Sequence, residues 1–201
     1  MEFKKYPFSE KYGWVEDKYG VSWQLIIPVR AQKIAPCLMF TGEHHKQAEE
    51  AINYYTSIFK NAPLQTGGSD IIQLERYKKG EGPEGAIIHS KFMLAGQEFV
   101  AMDSHTDLPV NFNPAISFVV NCLSQEEVDY YWEHLSKGGD EKAQQCGWLQ
   151  DRFGVSWQIV PSALIEMLKD PDAGKSRRVM EAMLKMRKID IAVLRQAYEQ
   201  Q

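Results

Sequence analysis

Two segments hold the side chains best suited to chemistry. In AIIHSKFML (86–94) a period of two puts Ile87, His89, Lys91 and Met93 on one face and Ile88, Ser90, Phe92 and Leu94 on the other. The second face suits a core, which leaves His89 and Lys91 facing whatever the strand lines. A neutral imidazole there can hydrogen-bond or shuttle a proton near pH 7, so His89 is the candidate acid or base, with Lys91 beside it. Asp103 and His105 close the next apolar run, QEFVAMD (97–103), where they can join His89 at the mouth of a site. The second segment, GWLQDRFGVSWQIV (147–160), offers Gln158, with Ser156 on its face, and Trp148. An amide that orients and an indole wall with one donor suit a planar or oxygenated small molecule. Trp157 points to the opposite face and belongs to packing. Each residue also has a plainer structural role open to it: a satisfied histidine, a loop carboxylate, a core indole. His44 and His45 invite a metal, but neighbours on a helix point about 100° apart and cannot easily clasp one ion. They are read as solvated.

The elements that position these residues come from two internal repeats. GWVEDKYGVSWQ (13–24) recurs as GWLQDRFGVSWQ (147–158), with eight identities in twelve positions. Both copies run into apolar residues and then a proline, Pro28 and Pro161, which cannot continue a central strand. The quieter repeat is a pattern. Residues 36–59 and 114–135 each pass from a proline through an apolar strand into an amphipathic helix with a Tyr-Tyr pair. In the first helix Ala48, Ala51, Ile52, Tyr55, Ile58 and Phe59 share a face at helical spacing; Val128, Tyr131, Trp132 and Leu135 do so in the second. Ser124 and Glu127 form a capping box at its start. Strands follow the first helix at 71–77, 86–94 and 97–103, the last two joined by a tight Ala95-Gly96 turn. A shorter strand region, turning at Arg152-Phe153-Gly154, follows the second. The fold class is therefore α+β: two βαβββ units whose uncovered faces enclose a cup, plus C-terminal helices.

Composition narrows the function. The chain has 201 residues, 44% hydrophobic and 25% charged, enough for a substantial core. A net charge of -4, with 23 scattered Lys and Arg, gives no field for a phosphate backbone, so nucleic acid is not expected as a partner. No apolar run approaches the ~20 residues that span a bilayer, and MEFKKYPFSEK is not a secretory leader. No membrane partner is expected. Cys37, Cys122 and Cys146, odd in number and without CxxC spacing, read as reduced thiols in a cytoplasm.

The paired βαβββ halves, the AEEAINYYTSIF helix and the closing D-[RK]-[FY]-G-V-S-W-Q-[IL] strand resemble the vicinal oxygen chelate superfamily of glyoxalase I, bleomycin-resistance proteins and extradiol dioxygenases. More narrowly, they are similar to its PhnB-like branch, over residues 34–161 and into the tail. The branch often bears the label 3-demethylubiquinone 3-methyltransferase. The residues give methyl transfer no support, because the close glycine pair Gly67-Gly68 opens no helix. Metal enzymes of the superfamily take His or Gln from the first strand of each half and Glu from the last. Here PCLMF and PAISF contain no His, Glu or Asp, and the closing strand has Gln158 where glutamate is expected. A neutral amide is a weak ligand, so neither a metal nor another cofactor is expected.

The resemblance implies a homodimer that binds a small organic ligand in its cup. Two other readings stay open: a metal-independent acid–base enzyme using His89 and Asp103, and a pure interaction or sequestering module. Residues 1–30 read as the orphan closing hairpin of a preceding truncated module, 31–161 as the glyoxalase-like module and 162–201 as a helical extension. The hairpin, 12–27, is expected to dock against a sheet of this chain or a dimer mate. The extension is expected to pack outside the cup through Leu164, Met167, Leu168, Val179, Met183 and Leu184.

Overall fold

A computed structural model describes residues 1–6, 9–27, 32–64, 67–106, 108 and 110–200. Pro28 lies outside them. The chain forms two compact units, Met1–Ala35 and Pro36–Gln201.

The first unit is an antiparallel sheet in which β1 (Lys4–Tyr6), β2 (Ser9–Glu16) and β3 (Ser22–Ile26) lie in sequence order. The β2–β3 register runs from Tyr12 opposite Ile26 to Glu16 opposite Ser22. Asp17 fixes the turn. Its Oδ1 accepts the amides of Tyr19 (2.8 Å) and Val21 (3.0 Å), and its Oδ2 accepts Trp23 Nε1 at 2.9 Å. Gly20 completes it at φ +83°, a region closed to most side chains.

The second unit begins with β4 (Cys37–Phe40), α1 (Ala48–Lys60), β5 (Ile71–Arg76), β6 (Ile87–Leu94) and β7 (Gln97–Asp103). They form a four-stranded sheet in the order β4-β7-β6-β5, with β4 parallel to β7 and the other pairs antiparallel. The β6–β7 turn places Ala95 at φ 48° and Gly96 at φ 80°, the paired positive values of a tight hairpin turn. Helix α1 buries Ala48, Ala51, Ile52, Tyr55, Ile58 and Phe59, the stripe that its sequence period predicts.

The second half contains β8 (Ser117–Cys122), α2 (Gln125–Ser136), β9 (Trp148–Gln150) and β10 (Ser156–Pro161). Strand β10 is central, parallel to β8 and antiparallel to β9. Ser124 caps α2 by accepting the Glu127 amide at 3.2 Å, while Glu127 Oε2 accepts the Leu123 amide at 2.6 Å. This half carries three strands among the described residues where the sequence suggested four. The polar stretch between α2 and β9 lacks the apolar alternation of a strand, and forms a 3-10 turn at Glu141–Ala143. Gly139 passes so close to Gln150 that an added Cβ would lie 1.9 Å from its carbonyl oxygen.

One core joins both halves: Phe40, Tyr55, Phe92, Leu135, Phe153, Trp157 and Ile159 belong to a single buried cluster. The chain ends in α3 (Ser162–Leu168), α4 (Ala173–Met183) and α5 (Ile191–Glu199). They share a smaller core of Leu164, Met167, Val179, Ile189 and Leu194, with Leu168 and Met183 packed against it. Leu184, expected on that apolar face, is exposed instead because α4 has ended at Met183. The Gln125 side chain of α2 bonds both the Ile189 carbonyl and the Ile191 amide, and Lys188 pairs with Asp129 at 2.5 Å, which ties the extension to α2.

Candidate functional site

Alternation decides which side chains the helices leave uncovered. In β6, Ser90, Phe92 and Leu94 are buried on the core side, whereas His89, Lys91 and Met93 are half-buried on the opposite face; the expected alternation breaks at Ile87, which is buried in the core, and Ile88, which is half-buried, where the β5–β6 register shifts. Ser90 locks this phase: its hydroxyl donates to the Ala101 carbonyl at 2.7 Å and accepts the Ala101 amide at 2.9 Å. In the β5–β6 ladder Glu75 stands opposite His89, and Gln73 opposite Lys91. Directly opposed residues of an antiparallel pair share a face, so Glu75 and Gln73 join His89 and Lys91 there.

The second sheet presents a smaller constellation. Gln158 stands opposite Trp148 in the β9–β10 ladder. Trp148 is 36% exposed, so about a third of the residue's surface is open to a ligand. Gln158 Nε2 donates to Ser117 Oγ at 2.8 Å, which leaves the amide oxygen of Gln158 as the acceptor of this group. Trp157 faces the other way and is buried, its ring packed at a tilt against Tyr55 with centroids 5.4 Å apart.

Asp103 sits elsewhere. It is 1% exposed, on the face of β7 that buries Phe99 and Ala101, so the structure does not bring it together with His89. Its Oδ1 accepts the Ala48 amide at 3.1 Å and its Oδ2 the Ile87 amide at 2.8 Å. One carboxylate thus satisfies a donor at the start of α1 and another at the edge of β6. Burial raises its pKa against these bonds, which act to lower it. His105 is exposed, its ring 6.0 Å from Tyr77.

His44 and His45 are half-buried rather than solvated. His44 Nδ1 lies 3.0 Å from Gln47 Oε1, and His45 Nε2 lies 3.0 Å from the Ser104 carbonyl, so the two rings engage different partners.

A catalytic divalent ion does not fit the donor set. The first strands carry Cys37, Leu38, Met39 and Phe40 in one half and Ser117 to Cys122 in the other, without imidazole or carboxylate. Gln158 turns its amide nitrogen to Ser117. Among the described residues no three His, Cys, Asp or Glu side chains gather as a metal group. The glycine pair is likewise occupied: the Gly68 carbonyl accepts the Gly96 amide at 2.9 Å, and Gly67 lies against the Ala95-Gly96 backbone. That is turn packing, not the start of a helix that cradles a cofactor.

Glu75, Gln73 and Ser117 were not singled out from sequence. Their signal is register, since each stands in a cross-strand relation that alternation along one strand does not show.

A family model described as 3-demethylubiquinone-9 3-methyltransferase matches residues 2–26 and 32–160. No curated protein matches the chain. Among solved structures, a Bacillus cereus PhnB protein with the same description is 38% identical, with a TM-score of 0.55, over 65% of this chain and 100% of its own. A protein from Pseudomonas aeruginosa is 21% identical, with a TM-score of 0.50, over 65% of this chain and 98% of its own. The fosfomycin resistance protein FosX from Listeria monocytogenes is 16% identical, with a TM-score of 0.45, over 70% of this chain and 98% of its own.

Proposed function

Since this chain belongs to the family described as 3-demethylubiquinone-9 3-methyltransferase, the PhnB-like branch of the vicinal oxygen chelate superfamily, we propose that it binds a small oxygenated organic molecule on the sheet faces its helices leave uncovered. His89 and Lys91 supply a titratable donor and a positive charge on one sheet. Trp148 supplies an apolar wall on the other, and Gln158 an amide acceptor held by Ser117. The observation that carries this reading is the sorting of side chains in β6, β9 and β10. From His89 to Leu94, from Trp148 to Gln150 and from Trp157 to Val160, buried side chains go to the helix side and half-buried or exposed ones, His89, Lys91, Trp148 and Gln158 among them, to the far side. A sheet face built only for packing has no need of that mixture.

The test is a thermal-shift screen of hydroxylated and anionic metabolites against the wild type and the variants H89A, K91A and Q158A. A compound that stabilises the wild type but not these variants supports the reading. Hits unaffected by all three variants discard it.

A second reading, metal-independent acid–base chemistry, draws support from the cross-strand register of His89 with Glu75. A carboxylate across the ladder from an imidazole is placed to accept its N–H and orient the ring. In this reading Glu75 takes the place that sequence had offered to Asp103. Turnover of a bound compound that is lost in H89A and slowed in E75Q would separate catalysis from binding. The family description names a methyl transfer, and the reading contains none, because among the described residues the close glycine pair Gly67-Gly68 packs against a hairpin turn and opens no helix. The protein is further proposed to be a cytoplasmic homodimer, on its family resemblance and its cysteine pattern.

A further inference from the structure

The N-terminal hairpin repeats the closing hairpin in geometry as well as in sequence. Asp151 Oδ1 accepts the amides of Phe153 (2.8 Å) and Val155 (3.0 Å), and its Oδ2 accepts Trp157 Nε1 at 2.8 Å. Asp17 receives the same three donors from Tyr19, Val21 and Trp23. The two copies differ in what covers them. Leu149, Phe153, Val155, Trp157 and Ile159 are between 0 and 3% exposed; their counterparts Val15, Tyr19, Val21, Trp23 and Leu25 are between 38 and 78% exposed. Five large apolar side chains on one small sheet face form a patch of the kind that marks an interaction site.

The covered copy shows what such a hairpin receives. Strand β8 runs parallel along β10, with Phe118 opposite Trp157 and Val120 opposite Ile159. From α1, the Tyr55 hydroxyl donates to Asp151 Oδ2 at 2.7 Å and the Tyr55 ring packs on Trp157. Arg152 reaches Glu50 of the same helix at 2.7 Å. The N-terminal hairpin keeps each receiving feature. Strand β3 ends its sheet where β10 is central, Asp17 stands where Asp151 does, and Lys18 keeps the charge of Arg152.

We infer that residues 12–27 form a docking surface for a second polypeptide that supplies a βα half-module. That partner lays a strand parallel to β3 and places a helix tyrosine hydroxyl on Asp17 Oδ2. An acidic residue five positions before that tyrosine, as Glu50 precedes Tyr55, meets Lys18. The occupant is not an intact second copy of this chain, whose β8 and Tyr55 are already engaged by its own β10 and Asp151. It is a module of this family whose closing hairpin is missing.

The probe is a polypeptide of residues 34–140 of this sequence, which carries α1, β8 and α2 without the closing hairpin, titrated into the full-length protein. Light scattering is expected to show a 1:1 complex. D17N or W23A in the full-length protein, or Y55F in the probe, weakens it about tenfold or more, the scale of one buried hydrogen bond to a charged group. A probe that binds a synthetic 146–161 peptide but not the full-length protein overturns the inference. Should the probe bind neither, a four-fold variant of the full chain decides. L149V, Q150E, R152K and F153Y together write the N-terminal sequence into the closing position. Retention of one cooperative unfolding transition that Y55F lowers supports the inference, and loss of that transition overturns it.

Discussion

Replacing Asp151 by Asn tests whether the closing hairpin is held by its carboxylate or by apolar packing alone. Asp151 is 2% exposed and accepts four hydrogen bonds, from Tyr55, Trp157, Phe153 and Val155. Asparagine keeps one oxygen, enough for the two amides. Its nitrogen, however, then faces the Trp157 N–H and the Tyr55 hydroxyl. The hydroxyl can turn and accept; the indole N–H cannot, and is stranded in the core. A stranded buried donor costs about 1–3 kcal/mol. Relief of a buried charge offsets part of this, since burial raises the Asp151 pKa. Loss of three charge-assisted bonds adds to it, so the net destabilisation is on the order of 1.5–3 kcal/mol. For a unit of this size that lowers the midpoint by about 3–12 °C. The assay is calorimetry of the wild type, D151N and D17N at neutral pH. Asp17 makes the same three bonds within an exposed hairpin, where water replaces them, so D17N should leave the main transition in place. Equal shifts from D151N and D17N would refute the argument, because bonds made in water and in the core would then count alike.

The pH dependence follows from the same group. Burial raises the pKa of Asp151 in the folded state, so the native protein binds its proton more tightly than the unfolded chain does. That stabilisation is absent above the raised value and grows as pH falls towards the ordinary 3.8. The stability gap between wild type and D151N should therefore widen as pH is lowered into this window, which urea titrations at several pH values would measure; a gap that narrows contradicts the assignment. At the start of α2, E127A removes the bond to the Leu123 amide and should cost about 1 kcal/mol by urea denaturation, a typical loss for a capping interaction. Elemental analysis of protein purified without a metal-affinity tag should find well under one Ni, Zn, Fe or Mn per chain. Stoichiometric metal surviving dialysis would overturn the reading of the donor set.

The sequence displays the parts of this fold that depend on one element at a time. The buried stripe of α1 follows from a 3.6-residue period, and the face of His89 and Lys91 from a period of two. The same period in QEFVAMD places Asp103 with Phe99 and Ala101, so its burial was legible; its acidity and its place at a strand end argued the other way. The pairing of Glu75 with His89 was not legible, because β5 contains register shifts that only the folded ladder fixes. Nor was the shortened second half, where a pattern repeat suggested a fourth strand that the polar stretch before β9 does not form. The loud repeat located both hairpins but not their different burial, since exposure depends on what covers an element and not on its own residues.

The central proposal, a ligand on the uncovered sheet faces, is tested most directly by an NMR titration of the wild-type protein with a compound retained from the thermal-shift screen. Amide and side-chain resonances of His89, Lys91, Trp148 and Gln158 are expected to move together along one saturating curve. Perturbations confined to α1, α2 or the C-terminal helices, with those four residues unmoved, would contradict it.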